Sequence, residues 1–140
     1  MVKSCVNSIR KNSGNHKVII LTENNYKDYV DIPIWVEEKK ENGIISRTHY
    51  SDILRLMLLA KYGGVWLDST FFCTNDQIKK YFEYPLWSIK RPDYFHASVA
   101  AGYFANYSLG CDVNHRWIFQ TILDFVLEYW KNNDIMIDYL

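Results

Sequence analysis

The sequence lacks several features that would point directly to a class of function. Its 140 residues carry 16 basic and 16 acidic side chains, so the formal net charge is zero. Because nucleic-acid phosphates are bound by cationic surfaces, this balance argues against a nucleic-acid partner. The longest apolar runs, such as residues 56–60, are far shorter than the roughly 20 residues of a membrane-spanning helix. No linker-like stretch marks a second domain, and we expect a single domain over residues 1–140.

Cysteine and histidine are also too sparse for a recognised metal or disulfide framework. Cys5, Cys73 and Cys111 are widely spaced and form no C-x-x-C pair. The four histidines form neither H-x-x-x-H nor H-E-x-x-H. Free thiols fit a reducing compartment, and the basic N-terminus has no apolar signal core. We therefore expect a cytoplasmic protein, with room for peripheral association at the inner face of the membrane.

Aromatic residues, by contrast, are abundant. They make up 16% of the chain and include 11 tyrosines and five tryptophans. Such residues usually fill cores and half-buried sheet surfaces, and they also stack on sugar or base rings in binding sites. Composition alone favours the first of these two interpretations.

The hydrophobic periodicity predicts helices that alternate with strands. The predicted helices cover residues 4–11, 51–61, 76–81 and 115–130, with a short helical piece at 24–29. The predicted strands cover residues 18–22, 34–36, 65–67, 86–89 and 99–104, and a charged loop or helix turn covers 37–42. On helix 115–130 the expected buried face is Trp117, Ile118, Ile122, Phe125, Val126 and Trp130. This alternation favours a layered α/β sheet with strand 65–67 at its centre.

The most informative segment covers residues 51–70. Asp52 and Arg55 are three residues apart on a predicted helix and therefore share a face, which is not the apolar one. Gly63 is placed to end this helix in the left-handed conformation. The next strand ends at Asp68, and open α/β sheets bind ligands at the carboxyl ends of their strands. An exposed Asp52–Arg55 pair alone would be an ordinary surface ion pair, but the whole arrangement predicts that two carboxylates and a guanidinium converge on one opening.

The spacing of this segment resembles the core motif of glycosyltransferases of the capsular polysaccharide synthesis type, relatives of the sugar transferases with a DxD motif. The shared pattern is S-D-x-x-R-x-x-x-L-x-x-x-G-G-x-W-x-D. The matching residues are Ser51, Asp52, Arg55, Leu59, Gly63, Gly64, Trp66 and Asp68. Weaker resemblance extends over residues 9–26 and 129–131.

The resemblance implies a GT-A-like fold with three α/β/α layers. It also implies transfer of a sugar from a nucleotide-diphosphate donor to a saccharide acceptor, with retention of anomeric configuration. The implied catalytic residues are Asp52 and Arg55, which would contact the donor sugar and its phosphate side, and Asp68, which would bind the ribose or the sugar. The implied substrate-binding residues are Ser51, Gly63, Gly64, Trp66 and Ser69. A divalent cation, Mn²⁺ or Mg²⁺, would neutralise the departing diphosphate.

Two departures from the family pattern affect this interpretation. Thr70 stands where the second Asp of DxD is expected, so the implied metal ligands Asp68 and Thr70 form a weak pair unless an acid such as Asp76 compensates. The family's first strand is missing before the first predicted helix, and we expect a truncated catalytic domain. A non-catalytic nucleotide- or carbohydrate-binding remnant is the alternative. The D-x-D-x-T motif of haloacid dehalogenase-type phosphatases does not fit the spacing from Asp68 to Thr70.

Overall fold

The computed structural model describes residues 1–90 and 104–137 and has a mixed α/β composition, as predicted. The elements are α1 (Val2–Asn12), a 3-10 turn (Tyr26–Asp28), α2 (Ile34–Glu41), α3 (Arg47–Tyr62), β1 (Gly64–Leu67), α4 (Ile78–Tyr81), β2 (Leu86–Lys90), β3 (Phe104–Cys111) and α5 (Arg116–Asn132). They form two compact units. The first unit comprises Met1–Ile20 and Gly63–His115, and the second comprises Leu21–Tyr62 and Arg116–Leu140.

The sheet of the first unit is antiparallel, with the order β1-β3-β2. The predicted strands 65–67 and 86–89 are confirmed, but β1 lies at the edge of the described sheet and not at its centre. The central strand is β3, the longest of the three, and it pairs with both β1 and β2. The strand predicted over residues 99–104 meets β3 only at Phe104, since residues 99–103 lie outside the described part of the chain.

Helix α1 confirms the predicted helix 4–11 and packs its buried face into a small core. This core consists of Ile9, Cys73 and Ile78, with Val18, Leu67, Phe71 and Phe82 packed against it. Leu67 of β1 therefore faces the core. Because side chains alternate along a strand, its neighbours Trp66 and Asp68 lie on the opposite face. The helix predicted over 76–81 is shorter than expected and begins at Ile78.

The strand predicted over residues 18–22 is wrong. The segment has no regular secondary structure, and Ile19 and Ile20 are 44% and 37% exposed. A short run of β-branched residues satisfies the local preference for a strand, but a strand also needs a partner and a face to bury. Within the described residues the three-stranded sheet does not include this segment.

The strand predicted over residues 34–36 is also wrong, because Ile34 opens helix α2. Pro33 occupies the N-cap position with φ −56° and ψ 137°, where its missing N–H costs no helical hydrogen bond. The charged run that follows consists of Glu and Lys, which are good helix formers. It therefore continues the helix to Glu41, so that of the two structures predicted for residues 37–42, a loop or a helix turn, the helical one is confirmed. Only Val36 of this helix is buried.

In the second unit α3 packs against α5. The predicted helix 51–61 is confirmed, and it starts earlier than expected because Ser46 Oγ accepts a hydrogen bond from the His49 backbone N–H at 3.2 Å. The two helices are also joined at their ends, where Arg116 Nη1 donates to the Lys61 carbonyl at 2.7 Å. The Lys39 ammonium donates to the carbonyls of Trp130 and Asn133, near the C-terminus of α5.

Helix α5 confirms the predicted helix 115–130, and its predicted buried face is confirmed at Val126 and Trp130 but wrong at Trp117, Ile122 and Phe125. The buried residues are Phe119, Leu123, Val126 and Trp130. Trp117 and Phe125, which we expected to be buried, are 64% and 67% exposed. The helix carries apolar residues on most of its circumference, so more than one apolar stripe has helical spacing and the sequence pattern does not choose between them.

Candidate functional site

The glycine pair of the 51–70 segment has a clear backbone role. Gly63 and Gly64 have φ values of +69° and +81°, and α3 ends at Tyr62, one residue beyond the predicted helix and directly before Gly63, which was predicted to end it. A Cβ atom added to Gly63 would lie 3.0 Å from the Cys111 carbonyl oxygen, whereas one added to Gly64 would meet nothing within 4 Å. Gly63 is therefore required by both its conformation and its close contact. The substrate-binding role implied for the two glycines stays a prediction.

Gly110 of β3 also permits close packing between β3 and the start of β1, and it was not identified from the sequence. A Cβ atom at this position would lie 2.8 Å from Val65 Cγ2 and 3.1 Å from the Gly64 carbonyl oxygen. Without a side chain at Gly110, β3 can lie against the first residues of β1. A glycine inside a strand is the signal that could have indicated this approach.

Asp68 follows the last residue of β1, as predicted, and its backbone is bonded on both sides. Its N–H donates to the Tyr107 carbonyl at 3.0 Å, which extends the pairing with β3 by one residue. Its carbonyl accepts from the Phe71 N–H at 2.8 Å and closes a turn. Its carboxylate oxygen Oδ1 accepts from the indole Nε1 of Trp66 at 2.6 Å. The side chains of Trp66 and Asp68 are half-buried.

Ser69 and Thr70 occupy the exposed part of this turn. Helix α1 holds the chain just beyond it. The Cys5 thiol lies 3.5 Å from the Thr70 carbonyl, Ser8 Oγ accepts from the Cys73 N–H at 2.9 Å, and Asn12 Nδ2 donates to the Cys73 carbonyl at 3.3 Å. The turn after Asp68 is thus fixed at its exit by a helix.

The turn does not carry a preformed metal site. Among the described residues no group of three or more His, Cys, Asp or Glu side chains is arranged to hold a metal ion. Asp76 forms an ion pair with Lys79 at 2.7 Å, and the hydrogen bond from Lys79 lowers the pKa of Asp76. Asp68 is a carboxylate of the type that Mg²⁺ takes singly, together with substrate phosphates and water. Binding of a metal by Asp68 and Thr70 stays a prediction.

Asp52 and Arg55 form an ion pair on α3, with Arg55 Nη1 3.1 Å from Asp52 Oδ1. Their side chains are only 19% and 5% exposed, respectively. The expectation that both lie away from the apolar face is wrong for Arg55, which is buried on a helix whose other buried residues include Ile53, Leu54 and Leu56. The long aliphatic stem of arginine permits this burial while its charge is paired. The pair is therefore not an ordinary surface ion pair.

A second polar cluster, which was not identified from the sequence, is formed by Tyr26, Lys27, Glu37, Lys40 and Tyr50. Tyr50 precedes the Asp52–Arg55 pair on α3. Glu37 Oε1 accepts hydrogen bonds from Tyr26 and Tyr50, both at 3.0 Å, and lies 3.4 Å from the Lys27 ammonium. The Lys40 ammonium lies 4.0 Å from the ring centroid of Tyr50. The cluster joins the 3-10 turn, α2 and α3 next to Ser51, which is half-buried.

These contacts shift two pKa values in the cluster. Burial alone would raise the pKa of Glu37, but the hydrogen bonds from Tyr50 and Tyr26 together with Lys27 lower it. Burial, followed by hydrogen bonds with Tyr26 and Glu37, raises the pKa of Tyr50. Glu37 is therefore ionised and Tyr50 neutral at neutral pH.

An aspartate–histidine pair follows β3. His115 Nδ1 lies 2.7 Å from Asp112 Oδ1, which also accepts from the backbone N–H groups of Asn114 and His115. The hydrogen bond from His115 lowers the pKa of Asp112. Because Gly64 pairs with Cys111, this pair and Asp68 lie at opposite ends of β1, about 13 Å apart at strand spacing. Asp112 and His115 thus stabilise a local turn and do not belong with Asp68.

The structure brings the predicted site residues together in two pairs. Asp52 contacts Arg55 in the second unit, and Trp66 contacts Asp68 in the first. The predicted convergence of the two pairs on one opening stays a prediction, as do the roles of Ser51, Ser69 and Thr70.

Comparison with known protein families gives one result. The family of capsular polysaccharide synthesis proteins matches residues 1–140. The chain belongs to this family. Membership confirms the resemblance inferred from residues 51–70 and indicates a role in capsular polysaccharide synthesis. No curated protein and no solved structure matches the chain.

Among the residues that the structure describes, none lies in a helix both long and apolar enough to cross a bilayer.

Proposed function

We propose that this capsular polysaccharide synthesis protein is a nucleotide-sugar-dependent glycosyltransferase. It moves a sugar from a nucleotide-diphosphate donor to a saccharide acceptor with retention of configuration. A GT-A-like fold with three α/β/α layers is part of the proposal. Family membership supports the pathway, and the buried Asp52–Arg55 pair is the observation that supports the chemistry.

The buried pair is informative because of its energetic cost. Removing a guanidinium and a carboxylate from water costs several kcal/mol per ion, and their attraction often does no more than offset it. A hydrophobic pair would stabilise α3 at least as well. A charged pair that is kept despite this cost fits a site that needs a fixed carboxylate, because Arg55 holds Asp52 in one orientation.

The chemistry of sugar transfer explains the need for fixed carboxylates. As the glycosidic bond to the diphosphate breaks, the sugar ring gains positive charge and the departing diphosphate gains negative charge. Charges that are oriented before the reaction stabilise such a transition state without further reorganisation. Asp52 is the more exposed member of its pair and is the better candidate to meet the donor, with Arg55 orienting it. Asp68 binds the ribose or the sugar.

A divalent cation would be held by Asp68 and the donor's own phosphates. When bound, Mn²⁺ or Mg²⁺ would neutralise charge on the departing diphosphate. Thr70 contributes at most a neutral hydroxyl. The protein alone should therefore bind the cation weakly and the donor–cation complex more tightly.

A nucleotide- or carbohydrate-binding protein without transferase activity is the second candidate. The observation that favours it is the exposed Thr70 in place of a second carboxylate, in a described region that lacks a preformed metal site. The two candidates differ in turnover, since a binding protein retains donor affinity but releases no nucleoside diphosphate.

The first test is a thermal-shift screen of the full chain against UDP-, GDP-, ADP- and dTDP-linked sugars, with Mn²⁺ or with EDTA. We expect at least one donor to raise the melting temperature, because a ligand that binds only the folded state stabilises it. The shift should be larger with Mn²⁺ than with EDTA, and Mn²⁺ alone should give little shift. Release of nucleoside diphosphate from that donor supports the transferase. Binding without release supports the second candidate, and no shift with any donor contradicts both nucleotide-dependent proposals.

A further inference from the structure

The contact between Trp66 and Asp68 gives Trp66 a role other than binding substrate. The indole Nε1 is a donor only, and it lies 2.6 Å from Asp68 Oδ1. Hydrogen bonds to an ionised carboxylate are shorter and roughly twice as strong as those between neutral groups. This contact therefore fixes the Asp68 carboxylate in one rotamer.

Backbone hydrogen bonds hold the main chain of Asp68, so its side-chain torsion angles are the main conformational freedom that it retains. Its N–H is bonded to Tyr107 and its carbonyl to Phe71, so both of its peptide groups are held. Leu67 packs in the core, which turns Trp66 and Asp68 to the same opposite face of β1. The indole N–H of Trp66, two residues earlier on that face, is within hydrogen-bond distance of the carboxylate and can orient it.

The substitution at Thr70 makes this orientation more important. In a motif with two acids, two carboxylates share the task of facing the donor and its cation. Here Asp68 is followed by an exposed serine and an exposed threonine, so one carboxylate carries the charge of the turn. Catalytic groups must be held within about 0.5 Å of the productive position, and the residues around them provide this precision.

We propose that Trp66 is a positioning residue that holds the Asp68 carboxylate ready for the donor. This inference rests on the proposed function, because it assigns Asp68 to the donor site. It differs from the substrate-binding role that the family resemblance implies, in which the donor or acceptor would contact the indole ring itself.

The contact is tested first without any substrate. The indole N–H resonance of Trp66, assigned from its loss in Trp66→Phe, should move in the Asp68→Asn variant, because an amide is a weaker acceptor than a carboxylate. The indole resonance of Trp117, which is 64% exposed on α5, serves as the control and should stay in place. A Trp66 resonance that does not respond to Asp68→Asn overturns the proposal.

The functional test uses the nucleotide sugar that gives the largest thermal shift. Trp66→Phe should lower kcat/KM by about 10- to 100-fold, the usual loss when a partner of a site residue is removed. The loss should appear in both kcat and KM, because Asp68 contributes to donor binding as well as turnover, and Trp117→Phe should leave both unchanged. In the Asp68→Asn background, followed with radiolabelled donor, Trp66→Phe should add no comparable loss, since the two residues act as a unit.

Each remaining outcome has one meaning. An equal loss from Trp66→Phe in both backgrounds overturns positioning in favour of direct substrate contact. Unchanged turnover in Trp66→Phe also overturns it while leaving the proposed function intact. If no nucleotide sugar binds the wild-type chain, the proposed function fails and the positioning role fails with it, even if the resonance shift shows that the contact exists.

Discussion

The chain orients two of its aspartates by contrasting means. Asp52 is held by the guanidinium of Arg55 at 3.1 Å on a long helix, and that guanidinium is almost fully buried. Asp68 is held by a neutral indole N–H at 2.6 Å, directly after β1 and in a half-exposed position. Loss of the Arg55 contact should therefore disturb the orientation of Asp52 and lower the stability of its unit. Loss of the Trp66 contact should change the orientation of Asp68 with little effect on stability.

The largest expected effect comes from breaking the buried pair. Arg55→Ala should lower the free energy of unfolding by about 3–5 kcal/mol, because it leaves a partly buried carboxylate without its cation. Lys79→Ala is the matched control, since it removes an exposed pair at 2.7 Å with the same three-residue spacing. The control should lower the free energy of unfolding far less than Arg55→Ala does. Equal losses in urea unfolding would show that burial of Arg55 has no special energetic weight.

Substitution of Asp68 at the end of β1 should lower activity and leave stability nearly unchanged. Asp68→Asn should reduce donor turnover by about 10²- to 10³-fold, the usual cost of losing one preorganised electrostatic group. Its melting temperature should stay close to that of wild type, because the side chain is not in the core. Asp124→Asn, on the exposed face of α5, is the control and should retain full turnover. Retained turnover in Asp68→Asn would remove Asp68 from the site.

Substitutions at Gly63 and Gly64 distinguish the cost of a positive φ from the cost of a close contact. Gly63→Ala and Gly64→Ala both place an alanine at positive φ, but only the first brings a Cβ within 3.0 Å of a carbonyl oxygen. Gly63→Ala should therefore cost about 1–3 kcal/mol more than Gly64→Ala in urea unfolding, the usual cost of overpacking. Similar losses would show that β3 moves away from the turn easily.

The smallest expected effect is the pH dependence of stability that comes from Glu37 and its hydrogen bonds with Tyr26 and Tyr50. Because folding lowers the pKa of Glu37, its contribution to stability is present above its unfolded value and is lost as the pH falls through the folded value. Wild type should therefore lose about 1 kcal/mol more than Glu37→Gln between about pH 7 and pH 3.5. Parallel losses in the two proteins, measured by urea unfolding, would contradict this.

The sequence predicts the elements that local signals define strongly. Gly63 marks the end of α3 because few other residues adopt positive φ at low cost, and the apolar period of α3 and α5 identifies both helices. Asp68 at the end of a strand was likewise predictable from the apolar run before it.

The remaining features depend on contacts between distant residues. Ile19 and Ile20 have strand propensity but lie outside the sheet that the described residues form, and the buried stripe of α5 is chosen by its neighbour α3 rather than by its own pattern. Burial of Arg55 and the bond from Trp66 to Asp68 require side-chain positions that spacing alone does not give. Glu37 was missed because a charged run is typical of a solvated surface.

Calorimetric titration of wild type and Asp68→Asn with the nucleotide sugar found in the screen, in the presence of Mn²⁺, tests the central claim most directly. The claim is that Asp68 belongs to a nucleotide-sugar site. We expect saturable binding by wild type, weaker binding when EDTA replaces Mn²⁺, and loss of most of the affinity in Asp68→Asn. Equal affinity in the two proteins, or no binding by wild type, would contradict the claim.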